Sequence, residues 1–150
     1  MLFDLYIHSP RHKGKQQKEE ESREKRNRAS LLANLSLALL RGNEKKEALE
    51  AAIACEEEDA QWHKGSYRKA ETLYALGEFK EAAEAYESAK VKILDYKTEE
   101  KNVDAAINEL DGKIHASKEK MEELEELKSI DKELLLHLLH NVHKFHQYIF

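Results

Sequence analysis

The chain has 150 residues, 41% of them apolar and 37% charged, with five glycines, one proline and a net charge of −5. That length allows one domain, and a charge-rich composition poor in glycine and proline suits long solvated helices, excluding a sheet protein or a disordered chain. Residues 1–30 hold eight Lys/Arg against five Asp/Glu and stand at +3, so the remainder stands at −8, and a basic arm on an acidic body argues against nucleic-acid binding by the body.

Residues 1–14 open apolar with Leu2, Phe3, Leu5, Tyr6 and Ile7, a short docking segment. Pro10 and Gly14 argue against its continuing as one helix. From Gln16 to Arg28 the chain is almost wholly charged. Such a run reads as a solvated helix held by pairs such as Glu21–Lys25, or as a basic contact for an acidic partner.

A helical hairpin is predicted over 29–57. Leu31, Leu32, Leu35, Leu37, Leu39 and Leu40 make its first helix apolar nearly all round, which predicts the most buried helix of the chain. Gly42-Asn43 ends it, and Ala48, Leu49, Ala52 and Ile53 line the second helix. Within it, Cys55 is the single cysteine, so no internal disulfide forms and a reducing compartment is expected. A second hairpin spans Trp62–Ala89: Ala70, Leu73 and Gly77 form one run, and Phe79, Ala82, Tyr86 and Ala89 another, separated by Leu-Gly-Glu. Alanines at these positions allow close helix approach, and the aromatics fill the gaps.

Beyond the second hairpin, Thr98 with Glu99 and Glu100 is the expected cap of a further helix. Its apolar face is Val103, Ala106, Ile107, Leu110 and Ile114, with Gly112 as a point of slight bending. Met121, Leu124, Leu127 and Ile130 continue a sparse stripe that suggests a projecting helix or short coiled coil. In the tail, 131–150, Leu135, Leu138, Leu139, Val142, Phe145 and Ile149 form an amphipathic face fit for packing or self-association. His137, His140, His143 and His146 recur every third residue, a step short of the 3.6-residue turn, so they spiral round the helix and no metal site is expected.

The hairpins correspond at an offset of 34: Leu39 meets Leu73, Asn43 meets Gly77, Ala48 meets Ala82, Ala52 meets Tyr86 and Cys55 meets Ala89. A two-helix unit of this period resembles the tetratricopeptide repeat. The second copy carries the pattern from Ala70 and Leu-Gly through its aromatic and alanine positions; in the first, Lys45 stands where an aromatic is usual, and neither copy ends in the customary proline. The resemblance implies an all-α fragment of an α-solenoid, made of antiparallel helical hairpins. Its divisions are a charged arm or vestigial repeat helix over 1–28, two repeats over 29–95, a capping helix over 96–130 and an amphipathic C-terminal helix over 131–150.

The polar residues resemble one branch of that family, the co-chaperones whose groove holds an acidic C-terminal peptide in a carboxylate clamp. Asn34, Lys64 and Arg68 stand at the branch's spacing of 30 and then four, and W-x-K-G-x-Y-R-K-A is similar to its third repeat. The resemblance implies that Lys64 and Arg68 bind carboxylates and that Asn34 hydrogen-bonds the peptide's terminal group, the partner being the acidic tail of a heat-shock chaperone. The other lysine and asparagine of the clamp belong to a first repeat, which the 28 residues before Ala29 do not resemble. Read from the residues alone, Lys64 and Arg68 share a helix face, yet Arg68 also has Glu71 at i+3 for an ordinary surface pair. Lys64 is then plain surface, Asn34 an interface amide, and the chain a structural scaffold or oligomerisation module with an idle groove. No phosphate-cradling loop, nucleophile elbow or zinc-protease helix is present, so neither an enzyme nor a cofactor is expected. No run reaches membrane-span length and the N-terminus lacks a secretory pattern, which makes the cytoplasm the expected location.

Overall fold

A computed structural model describes the backbone of residues 10–95 and 102–149, and the side chains of residues 14–95 and 102–141. The apolar opening segment, Thr98 with its two glutamates, and the side chains of Val142, His143, Phe145, His146 and Ile149 lie outside the described residues. Among the described residues five helices follow one another: α1 Pro10–Arg41, α2 Lys45–Glu58, α3 His63–Leu76, α4 Phe79–Asp95 and α5 Val103–Ile149. Each packs on the next as an antiparallel neighbour, and α1 also touches α3. The protein is all-α.

The two turns are built alike. Asn43 N–H donates to the Leu40 carbonyl and Glu44 N–H to that of Leu39; 34 residues on, Gly77 N–H donates to the Tyr74 carbonyl and Glu78 N–H to that of Leu73. This paired closure satisfies carbonyls that a helix C-terminus otherwise leaves open. It requires a left-handed residue, supplied by Asn43 (φ 64°) and Gly77 (φ 86°). Both second helices then begin 34 residues apart, at Lys45 and Phe79. Lys45, in the place of the aromatic Phe79, reaches across and donates its ammonium to the Ala75 carbonyl at the end of α3, at 2.7 Å.

Small residues let the helices close on one another. Ala29 and Ala33 of α1 are buried with Cys55 and Trp62, and Ser36 donates to the Ala48 carbonyl at 2.8 Å. Between α2 and α3 the approach is tighter still: a Cβ on Gly65 would stand 2.8 Å from the Glu56 Cα, so this position admits only glycine without separating the helices. The larger core joins Ala70 and Leu73 of α3, Ala82, Ala85, Tyr86, Ala89 and Ile93 of α4, and Leu110 and Ile114 of α5.

Three expectations change. First, α1 starts at Pro10 and runs through Gly14. A proline in the first turn lacks only an N–H that would have no partner there, and one glycine costs a helix about 1 kcal/mol, which α1 tolerates. Residues 15–28 therefore continue into 29–41 as one helix, with no turn between them. Second, α1 is not the most buried helix: Leu31 is 70% and Leu35 49% exposed, because α2 and α3 pack on one side of α1 and no described element covers the other. Third, α5 is capped by Asn102, whose side-chain oxygen accepts from Ala105 N–H at 3.2 Å, and it continues without interruption through Gly112 and across 130–131.

Candidate functional site

The first turns of α3 bring two cations to the surface from a buried base. Trp62, just before the helix, is buried, as are His63, Gly65 and Ser66 behind it. Lys64 is exposed, and its ammonium stands over the Trp62 ring at 5.3 Å, while the Arg26 guanidinium of α1 lies 5.0 Å from the same ring. One indole thus holds a cation from each hairpin by its electron-rich face. One turn along α3, Arg68 is half-buried, with its guanidinium 5.5 Å from the Tyr67 ring.

Lys64 and Arg68 line one cavity of about 130 Å³ together with His63 and Tyr67 of α3, Ile93 of α4, and Ala106, Glu109 and Leu110 of α5. Its walls are the face of α3 and the start of α5, with Ile93 behind. Asn34 does not line it: that side chain is exposed on α1, at the place corresponding to Arg68 at the 34-residue offset. The structure therefore brings two of the three expected residues together and leaves the third on the neighbouring hairpin.

Two residues of α5 that periodicity did not single out, Glu109 and Lys113, shape the electrostatics together with Glu71. Arg68 donates to Glu71 at 2.5 Å, the i+3 pair that its spacing allowed. Glu71 lies 3.7 Å from the ammonium of Lys113, which is 3.8 Å from Glu109, and Glu109 accepts from the Tyr67 hydroxyl at 2.7 Å. A ladder of alternating charge thereby joins α3 to α5 along the cavity, with Lys113 also over the rings of Tyr67 and Tyr86. Burial first, and then the Glu109 hydrogen bond, drives the Tyr67 phenol well above its ordinary range; burial and the Glu71 charge do the same for Tyr86. Both phenols stay neutral at physiological pH, and Tyr67 acts as a donor to Glu109. Glu109 and Lys113 are themselves an i,i+4 pair, a signal the sequence carries, but their direction depends on how α5 rotates against the hairpin.

Behind α3, a second polar cluster ties three helices. Glu56 of α2 accepts from Ser66 at 2.5 Å and from Lys92 of α4 at 2.7 Å, with Lys69 at 3.3 Å. Burial pushes this carboxyl up, but the hydrogen bonds and the charges of Lys92 and Lys69 outweigh it and hold the pKa at about 2. Cys55 is buried and donates to the Ala29 carbonyl at 3.1 Å. Desolvation first, then Asp59 and Glu56, pushes its thiol up to about 11, which makes it a packing residue and a poor nucleophile.

Among the described residues no group of three or more His, Cys, Asp or Glu is placed to hold a metal ion, and no helix is long and apolar enough to cross a membrane. No known protein family, curated protein or solved structure matches the chain.

Proposed function

We propose that the chain is a tetratricopeptide-like, co-chaperone-type adaptor whose groove receives the acidic C-terminal peptide of a partner such as a heat-shock chaperone. One observation carries this reading: Lys64 and Arg68, one turn apart on α3, line the same small cavity. A space of about 130 Å³ is well below the roughly 300 Å³ at which drug-sized ligand pockets begin, and suits one carboxylate-bearing group with the rest of a peptide lying along the helices. Arg68 retains a buried Nε–H with no hydrogen-bond partner among the described residues, so Glu71 does not exhaust its planar fork. The repeated turns and the 34-residue spacing of α2 and α4 support the repeat on which the resemblance rests.

A second reading, a helical scaffold with an idle groove, is favoured by the Arg68–Glu71 pair, which already gives the arginine a carboxylate. Titration of a labelled Met-Glu-Glu-Val-Asp peptide separates the two. Two or three charge-assisted contacts of about 1.5–3 kcal/mol each, less the ordering of the peptide, give a Kd no tighter than about 1 µM. The adaptor reading expects saturable binding that weakens with salt and falls by roughly 100-fold in Lys64→Ala/Arg68→Ala. Equal weak binding to both proteins would establish the idle groove.

A further inference from the structure

The cavity at Lys64 and Arg68 has an apolar wall as well as a charged one. Where α4 and α5 close it, Ile93 and Leu110 are buried and Ala106 is half-buried, with Glu109 as the one charged residue on that side. A cavity of roughly 150 Å³ in a protein core takes a benzene-sized apolar group. A space of about 130 Å³ therefore has room for one branched aliphatic side chain against this wall.

The charges lining or bridging the cavity do not cancel. Three cations, Lys64, Arg68 and Lys113, stand against two carboxylates, Glu71 and Glu109, a surplus of one positive charge. Arg26, over the same indole as Lys64, already has Asp59 at 2.6 Å and adds nothing to that surplus. Lys64 rests on the Trp62 ring, with no ion pair to a carboxylate among the described residues. One incoming carboxylate thus brings the site to neutrality. A terminal aspartate carries two. Its second would exceed the surplus and stand against Glu109, whose carboxylate the Tyr67 hydroxyl holds at the cavity at 2.7 Å, and like charges so placed repel. Against the apolar wall it would also lose hydration without gaining a partner.

We infer that the cavity seats a C-terminal residue bearing one carboxylate and a branched aliphatic side chain, and that it discriminates against a terminal aspartate. This rests on the adaptor reading and narrows it: the acidic residues of the peptide lie upstream along the helices, and an aliphatic residue ends it.

The test titrates the full chain with three labelled peptides: Met-Glu-Glu-Val-Leu, the same peptide with a C-terminal amide, and Met-Glu-Glu-Val-Asp. The leucine peptide should bind about tenfold tighter than the aspartate peptide, the worth of partly burying an aliphatic side chain and avoiding one like charge. Amidation should weaken it by at least about tenfold. Equal or tighter binding of the aspartate peptide would overturn the inference and leave the adaptor reading standing, whereas no saturable binding of any of the three would overturn both. Isocaproate is the leucine side chain and carboxylate without a peptide; competition by it at the peptide's own concentration would make a small free acid the occupant and overturn the peptide terminus. Ala106→Leu fills the apolar wall without touching a charge. It should weaken the leucine peptide about tenfold and the aspartate peptide less than about twofold, and equal losses would put the terminal side chain elsewhere. If Ala106→Leu lacks the wild-type melting profile, Glu109→Gln keeps the inference open to refutation. It should tighten the aspartate peptide more than the leucine peptide, and a parallel gain in both would mean that Glu109 does not read the terminal side chain.

Discussion

Two carboxylates show how one residue type serves opposite ends here. Glu56 is held at about 2, below its ordinary 4.5, by Lys92, Ser66 and Lys69. A carboxyl lowered in the folded state adds stability that is fully present above pH 4.5 and is lost as pH falls through 4.5 toward 2. Glu56→Gln removes the charge and leaves two partly buried ammonium groups without it, at a cost of about 2 kcal/mol at pH 7. Urea denaturation of both proteins at pH 7, 4.5 and 2.5 should show the gap closing across that window; a gap independent of pH would mean that the carboxylate contributes no charge-dependent stability. Glu109 acts at the cavity instead, where its carboxylate would stand against an incoming one. Under the adaptor reading, Glu109→Gln tightens binding of the acidic peptide by about threefold to tenfold, the value of removing one partly screened like charge. An unchanged Kd would place the peptide elsewhere.

At the scale of elements, the turns give the cleanest comparison, because two copies of one closure use different residues. A side chain on Gly77 would meet nothing within 4 Å, so Gly77→Ala isolates the backbone cost of φ 86°, expected at about 1 kcal/mol. Asn43 already tolerates the left-handed region, and Asn43→Gly trades that small strain against a more flexible unfolded chain, changing stability by less than about 0.5 kcal/mol. Denaturant midpoints report both, and equal losses at the two sites would refute the equivalence of the turns. The helices and turns were legible because periodicity and these breakers are local signals: Ala82, Tyr86 and Ala89 are buried where the spacing placed them. What was not legible depends on neighbours. The leucines of α1 read as core, yet Leu31 and Leu35 face outward, since burial needs a second surface and the apolar pattern cannot say whether one exists. In the candidate site, the Arg68–Glu71 pair was visible from i,i+3 spacing, whereas Glu109 and Lys113 enter through the rotation of α5 against α3.

For the molecule as a whole, stability is graded along the chain and not shared evenly. The second hairpin is sandwiched: α3 and α4 bury Ala70, Leu73, Ala82, Ala85, Tyr86, Ala89 and Ile93 with Leu110 and Ile114 of α5. The first hairpin has a smaller core of Ala29, Ala33, Cys55 and Trp62 and one uncovered side. Residues 14–25 of α1 are exposed throughout, and the first ties to another helix or its flanking turn come at Arg26 with Asp59 and Arg28 with Glu58. Helices packed mainly on their sequence neighbours open from the less covered end, because each is held chiefly by the helices beside it. A lone helical arm of a dozen residues is marginal in water. Native-state hydrogen exchange should therefore find amides 14–24 exchanging with little protection, amides 45–58 opening at an intermediate free energy, and amides 70–93 exchanging only through global unfolding. Uniform protection across all three sets would mean that the uncovered side of α1 is buried in solution by a partner or a second copy, since nothing within the described chain could equalise them.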